Sequence, residues 1–184
     1  MSINTFRRSL VLGSAALLTA AGLSLAAPAP ASAATPTCNG EPATIVGTNG
    51  HDDIEGTSTR DVIVGLAGND EIDGNGGADV ICGNGGDDEI DGDSGGDWLN
   101  GGAGNDELDG DAGDDELIGG SSHDAIEGGR GDDQLLGEAG DDLLEGDAGQ
   151  DSVDGGEDSN ETFQGSAPDP VDDAWERQYR SSDD

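Results

Sequence analysis

The chain has 184 residues, 42 of them Asp or Glu against six Arg and no Lys, for a formal net charge of −36. That balance excludes nucleic acid and anionic membranes as partners, because both repel a polyanion. With 34 Gly and only five aromatic residues, an ordinary bulky core is excluded as well, so a fold must come from the order of the residues.

Residues 1–33 read as a signal peptide. Arg7 and Arg8 precede the apolar run Leu10–Ala27, which is followed by Pro28, Pro30 and the small residues Ala31-Ser32-Ala33. A basic start, an apolar stretch and a small-residue site predict secretion with cleavage after Ala33. A membrane anchor is the competing reading, but the run is barely long enough to span a bilayer. Without the leader, 42 acids face Arg60, Arg130, Arg177 and Arg180, a net of −38. The expected location is extracellular, in solution or at the cell surface, with no membrane contact after cleavage. Cys38 and Cys82 are then expected to pair, since export exposes them to oxidising conditions.

Residues 34–46 form a short segment ending in Ala43-Thr44-Ile45-Val46, which reads as a strand. From Gly47 to Asp154 the sequence falls into twelve consecutive blocks of nine without an insertion. Position 1 is always Gly, from Gly47 and Gly56 to Gly146. Position 6 is always Asp: Asp52, Asp61, Asp70, Asp79, Asp88, Asp97, Asp106, Asp115, Asp124, Asp133, Asp142 and Asp151. Position 8 is always aliphatic, from Ile54 to Val153, and position 4 is Gly except at Thr59 and Ser122. Low-complexity disorder needs acids and glycines but no fixed register for one aliphatic residue. Collagen needs Gly every third residue. A helix does not survive two Gly per block, and the EF-hand reading of Asp109-Gly110-Asp111 fails with it, because no flanking helix can form and Gly113 sits one place early. Residues 155–184 hold a degenerate last repeat, with Asn160 in place of Asp and Thr162 in place of the aliphatic residue, and an acidic tail. There Val171, Trp175 and Tyr179 have helical spacing.

Gly101-Gly102-Ala103-Gly104-Asn105-Asp106-Glu107-Leu108-Asp109 resembles the G-G-x-G-x-D-x-U-x nonapeptide of the repeats-in-toxin (hemolysin-type) calcium-binding family. One departure recurs: position 2 is Gly only at Gly102, Gly120 and Gly129. The resemblance implies an all-β, right-handed parallel β-roll (a β-helix solenoid) of twelve nonapeptide repeats over residues 47–154. Six residues of each block would turn and three would form a strand, with odd and even blocks in opposite sheets. It also implies calcium between turns eighteen residues apart. The ligands would be the twelve position-6 carboxylates and the bare backbone at positions 1 and 4. Those glycines are Gly47 and Gly50, Gly65 and Gly68, Gly74 and Gly77, Gly83 and Gly86, Gly92 and Gly95, Gly101 and Gly104, Gly110 and Gly113, Gly128 and Gly131, Gly137 and Gly140, and Gly146 and Gly149.

The spacing is of the right order for that ion. Rungs ~4.8 Å apart put a midway ion ~2.4 Å from each, against calcium–oxygen bonds of about 2.3–2.6 Å. Magnesium wants a stricter octahedron, and His51 and His123 are too far apart in sequence to suggest zinc. Twelve turns leave up to about ten intervals, and ten ions would bring the charge of −38 to about −18. A core one residue wide has little to set against chain entropy and acidic repulsion, so the calcium-free chain is expected to be largely disordered. Side chains at Thr59 and Ser122 are expected to weaken their sites.

Positions 7 and 9 should face outward. Odd blocks present acids there (Asp53/Glu55, Glu71/Asp73, Glu89/Asp91, Glu107/Asp109), whereas even blocks begin with Val62/Val64, Val80/Cys82 and Trp98/Asn100. An apolar patch of this kind needs a cover or a partner. On the roll geometry, residues 34–46 reach across it, with Ile45 inward and a Cys38–Cys82 bridge within the ~17 Å span of the intervening chain. The expected role is a structural or surface calcium-binding protein without enzymatic activity. The alternative is a calcium-dependent protein-interaction module using the face around Val62, Val80 and Trp98; ice or flat-crystal binding ranks below both.

Overall fold

Alternation about position 8 decides the architecture. With the aliphatic residue inward and its neighbours outward, three residues suffice for one rung, and glycine-rich turns carry the chain to the other side. The computed structural model describes residues 34–156 and 161–163, an all-β parallel solenoid of about six turns without a helix among these residues. Two seven-stranded sheets face each other. One is built from the odd blocks, Asp53–Glu55 through Leu143–Glu145, and ends with Glu161–Phe163. The other runs from Ile45–Val46 through the even blocks to Ser152–Asp154. All neighbours in both are parallel and in register eighteen residues apart, as in Ile54↔Ile72 and Leu108↔Ile126. Between the sheets lies a single file of side chains, Ile54 to Leu144, with Ile45 and Val153 at its two ends.

The two corners of the roll differ. Even strands from Val62–Ala67 to Gln134–Ala139 are six residues long because pairing continues through positions 1–3 of the following block, as between Val62–Ala67 and Val80–Gly85. At the opposite corner only position 3 pairs, in the bridges Gly76↔Ser94, Ser94↔Ala112, Ala112↔Arg130 and Arg130↔Ala148. Position 2 takes positive φ at Leu66, Asn75, Asn84, Asp93, Asp111, Glu138 and Asp147, as it does at Gly102, Gly120 and Gly129. This accounts for the departure at that position. Asn and Asp are the non-glycine residues that best tolerate a left-handed backbone.

The N-terminal segment is more elaborate than one strand. Thr37–Cys38 and Glu41–Pro42 form an antiparallel hairpin around Asn39 (φ 47°) and Gly40 (φ 78°), the Asn-Gly turn that suits the twist of two strands. Cys38 and Cys82 are joined, with Cα atoms 5.8 Å apart. Cys38 packs among buried Val62, Val64, Val80 and Cys82, with Ala43, Leu66 and Trp98 at the margin. The apolar face is therefore covered by the chain's own segment. Val62 and Val80, at 3% and 5% exposure, cannot serve as a docking surface, which corrects the interaction-module alternative; of its three residues only Trp98 stays partly accessible. The roll also continues one rung past Asp154, since Glu161–Phe163 pairs in register with Leu143–Glu145. The leader and the Val171/Trp175/Tyr179 tail lie outside the described residues.

Candidate metal centre

Position 6 places one carboxylate per block on the turn just before the strand. From Asp70 to Asp142 these side chains are at most 3% exposed. Each Oδ1 accepts the backbone N–H of the Asp one full turn earlier. In the even column Asp61 donates to Asp79 at 2.6 Å, Asp79 to Asp97 at 2.7 Å and Asp97 to Asp115 at 2.7 Å. In the odd column Asp70 donates to Asp88, Asp88 to Asp106 and Asp106 to Asp124, all at 2.9 Å. Every interval between stacked turns is thus occupied by the carboxylate of the later turn, anchored through one oxygen.

The other oxygen is stranded. Oδ2 of Asp70, Asp79, Asp88, Asp97, Asp106, Asp115, Asp124, Asp133 and Asp151 is buried and has no hydrogen-bond partner among the described residues. A buried anionic oxygen without a partner is strongly unfavourable, and a column of them more so. Burial, with repulsion from neighbouring carboxylates, pushes Asp97 and Asp124 up to about 6 and Asp106 and Asp115 up to about 7, although the backbone N–H bond to each pulls the other way. Asp79, Asp88 and Asp133 are raised for the same leading reason. At neutral pH such oxygens call for a proton or a cation. The donors are all hard oxygens on irregular turns, which fits calcium and offers nothing to a thiolate- or imidazole-seeking metal.

The glycines make room for this arrangement. A Cβ on Gly83 would lie 2.2 Å from Asp88 Oδ2, and one on Gly101 2.4 Å from Asp106 Oδ2, so position 1 must be bare beneath the stranded oxygen. At position 4 a Cβ would run into the preceding turn. In the odd column, one on Gly86 would be 1.8 Å from the carbonyl oxygen of Gly68. In the even column, Gly95 is pressed in the same way against the Gly77 carbonyl oxygen (1.8 Å), Gly131 against that of Gly113 (1.4 Å) and Gly149 against that of Gly131 (1.4 Å). Gly77, at φ 151°, is the exception in what it meets. It stacks on the Thr59 turn, where a Cβ would lie 2.7 Å from the Arg60 backbone nitrogen and not against a carbonyl oxygen.

Thr59 and Ser122, where side chains are expected to weaken the sites, stand in different surroundings. Thr59 heads its column, as Gly50 heads the other, where an added Cβ would meet nothing within 4 Å. Ser122 follows Gly104 in an established column and is held at φ 96°.

The turns at the N-terminal end differ again. Asp52 Oδ2 accepts from Thr48 N (2.6 Å) and Thr48 Oγ1 (2.9 Å), and Asp61 Oδ2 from Thr57 N and Thr57 Oγ1, both at 2.8 Å. All twelve predicted carboxylates and their glycines are brought into two stacked columns, but these two have side-chain and backbone donors on Oδ2 where the nine named above are stranded. His51 and His123 sit with Asn69, Asp87 and Asn105 on one exposed column at position 5, His51 Nδ1 against the Asn69 carbonyl and His123 Nδ1 accepting from Asp141 N at 3.0 Å. They are turn residues, not a metal pair. A separate acidic grouping of Asp91, Asp93 and Asp111 lies at the corner of the outer odd face, and burial and mutual repulsion raise Asp91 and Asp93.

The family model for the RTX calcium-binding nonapeptide repeat matches the chain in four copies, over residues 46–81, 55–90, 91–126 and 127–162. No curated protein matches it.

Proposed function

This chain belongs to the RTX calcium-binding nonapeptide repeat family, and from that premise we propose that it is a secreted, non-enzymatic protein whose roll orders as calcium enters the intervals between its turns, serving a structural or surface role. The observation that carries the proposal is the set of buried, unpartnered Oδ2 atoms of Asp70, Asp79, Asp88, Asp97, Asp106, Asp115, Asp124, Asp133 and Asp151. Calcium, when bound, supplies a double positive charge that accepts six to eight oxygens without strict geometry. The chain's part is to present them. Oδ1 is pinned by a backbone N–H of the previous turn, Oδ2 is left facing the interval, and glycine at positions 1 and 4 keeps side chains out of it.

Ten intervals follow from two columns of stacked turns, each closed by one carboxylate from Asp70 to Asp151. Secretion is supported by the leader pattern of residues 1–33 and by the Cys38–Cys82 bridge, which belongs to an oxidising compartment. The non-enzymatic assignment is supported by how the acids are used. From Asp70 on, the position-6 acids are tiled one per rung against backbone N–H groups, and among the described residues these acids are not gathered around a nucleophile. Calcium titration followed by far-ultraviolet circular dichroism, with ions counted by native mass spectrometry, tests the proposal. A cooperative gain of β signal with about ten ions bound is expected; β signal that is complete in excess chelator and unmoved by calcium overturns it.

A further inference from the structure

Thr occupies position 2 in two of the twelve blocks, and these are blocks 1 and 2, the first turn of each column. At neither does φ turn positive, unlike at position 2 of every later block. The changed backbone points the Thr48 and Thr57 amides at the carboxylate four residues on, and each hydroxyl adds a second donor to the same Oδ2. On the other oxygen, Asp61 Oδ1 accepts from Thr44 Oγ1 at 3.2 Å, where later blocks use a backbone N–H. No repeat turn precedes Asp52 or Asp61, so no carbonyl-lined interval opens on their outer side. Two N–H and O–H dipoles aimed at one oxygen satisfy its lone pairs and present their positive ends to any arriving cation.

We propose that Asp52 and Asp61 are not calcium ligands, and that Thr48 and Thr57 take the metal's place there, closing the N-terminal end of both columns without an ion. The proposal rests on the calcium-binding assignment above and narrows it: metal-dependent intervals begin with Asp70 in the odd column and Asp79 in the even one. Other features of the same end agree with a closure independent of metal. The hairpin, the disulfide, the Val62/Val64/Val80 cluster and the Arg60–Glu41 ion pair at 2.8 Å all lie there.

The test uses the whole oxidised chain and calcium chloride as the only added metal. Bound calcium is counted by native mass spectrometry for the wild type, for the double variant Asp52→Asn/Asp61→Asn, and for Asp106→Asn. The double variant is expected to bind as many ions as the wild type, and Asp106→Asn at least one fewer. A lower count in the double variant overturns the proposal while leaving the calcium assignment standing; a wild type that binds no calcium overturns both. Should the double variant fail to fold, Thr48→Val/Thr57→Val decides. It keeps both carboxylates, so loss of the hydroxyl closure should leave the count unchanged and raise the half-saturating calcium concentration at least threefold. An unchanged half-saturation overturns the proposal.

Discussion

The first two turns and those from Asp70 onward are written in one repeat, yet they settle the same carboxylate in two ways. At the N-terminal end Thr48 and Thr57 satisfy Oδ2, a valine-and-disulfide cluster covers the outer face, and Gly50 at position 4 has open space around it. In the middle Oδ2 is stranded, only a single file of aliphatic side chains separates the sheets, and glycine is pressed against the backbone of the turn before it. The difference teaches that position 6 is first an architectural residue. From Asp70 on its Oδ1 links one rung to the next, whereas a demand for metal arises only where Oδ2 has been left alone.

Two substitutions of one residue type break this comparison most sharply. Gly131→Ala puts a Cβ 1.4 Å from the Gly113 carbonyl oxygen at φ 146°, and Gly50→Ala puts one into open space. Backbone strain and overpacking each cost about 1–3 kcal/mol, so Gly131→Ala should destabilise the calcium-loaded roll by about 2–6 kcal/mol. Gly50→Ala should stay within about 0.5 kcal/mol of the wild type. Urea unfolding in saturating calcium reads both, and equal midpoints would show that position 4 is not a contact between turns.

The core should follow the same gradient. Leu99 is fully buried in mid-file, whereas Val153 is only partly buried at the last even rung. Leu99→Ala is expected to cost about 2–5 kcal/mol, the usual range for emptying a packed aliphatic site. Val153→Ala should cost clearly less, because its site is already open to solvent on one side. A larger loss at Val153, by the same urea measurement, would mean that the C-terminal rungs anchor the file.

Much of this was legible in the nine-residue period together with the family it resembles. The period and its alternation mark the inward file, the resemblance implies the two opposite sheets, and on that roll geometry register and reach place Ile45 inward and Cys38 at Cys82. The hairpin was missed although its signal was present. Asn39-Gly40 between short extended segments marks a two-residue turn, but it lies outside the repeat and so outside its logic. Two other features depend on backbone placement, which composition and spacing do not carry. One is that pairing runs on through positions 1–3 at only one corner. The other is that Thr at position 2 changes φ and turns a donor onto Asp52 or Asp61. The cover over the Val62/Val80 face was legible as well, because residues 34–46 reach far enough to bring Cys38 to Cys82, and that cover leaves the interaction-module alternative only Trp98 in part.

Acid should partly replace the metal in the middle turns and sharpen the contrast from another side. Burial raises Asp97 and Asp124 to about 6 and Asp106 and Asp115 to about 7, above the ordinary carboxylate value of 3.8. A raised acid favours the folded state when protonated, so its contribution is complete below about pH 4 and lost as pH rises through about 6–7. In excess chelator, lowering pH from about 7.5 to about 5 should therefore restore part of the β signal in circular dichroism. A chelated chain whose signal is flat over that window would mean that the stacked carboxylates do not oppose folding.

The smallest effect belongs to Ser122, the one block in an established column that lacks glycine at position 4. Its φ of 96° places an L residue in left-handed backbone at a cost of about 1–2 kcal/mol. The carbonyl of Ser122 lies against the next turn as the Gly carbonyls do elsewhere, since a Cβ on Gly140 would be 1.4 Å from it. Ser122→Gly removes the strain and keeps that carbonyl, so the half-saturating calcium concentration should fall, by no more than the roughly five- to thirtyfold that about 1–2 kcal/mol is worth. Thr59→Gly is the matched control. In the first repeat of its column it has no positive φ to relieve and no earlier repeat turn to clear, so its calcium curve should overlay the wild type. If Thr59→Gly tightens binding as much as Ser122→Gly, the gain comes from side-chain removal at position 4 in general, and the special standing of the N-terminal turns is lost.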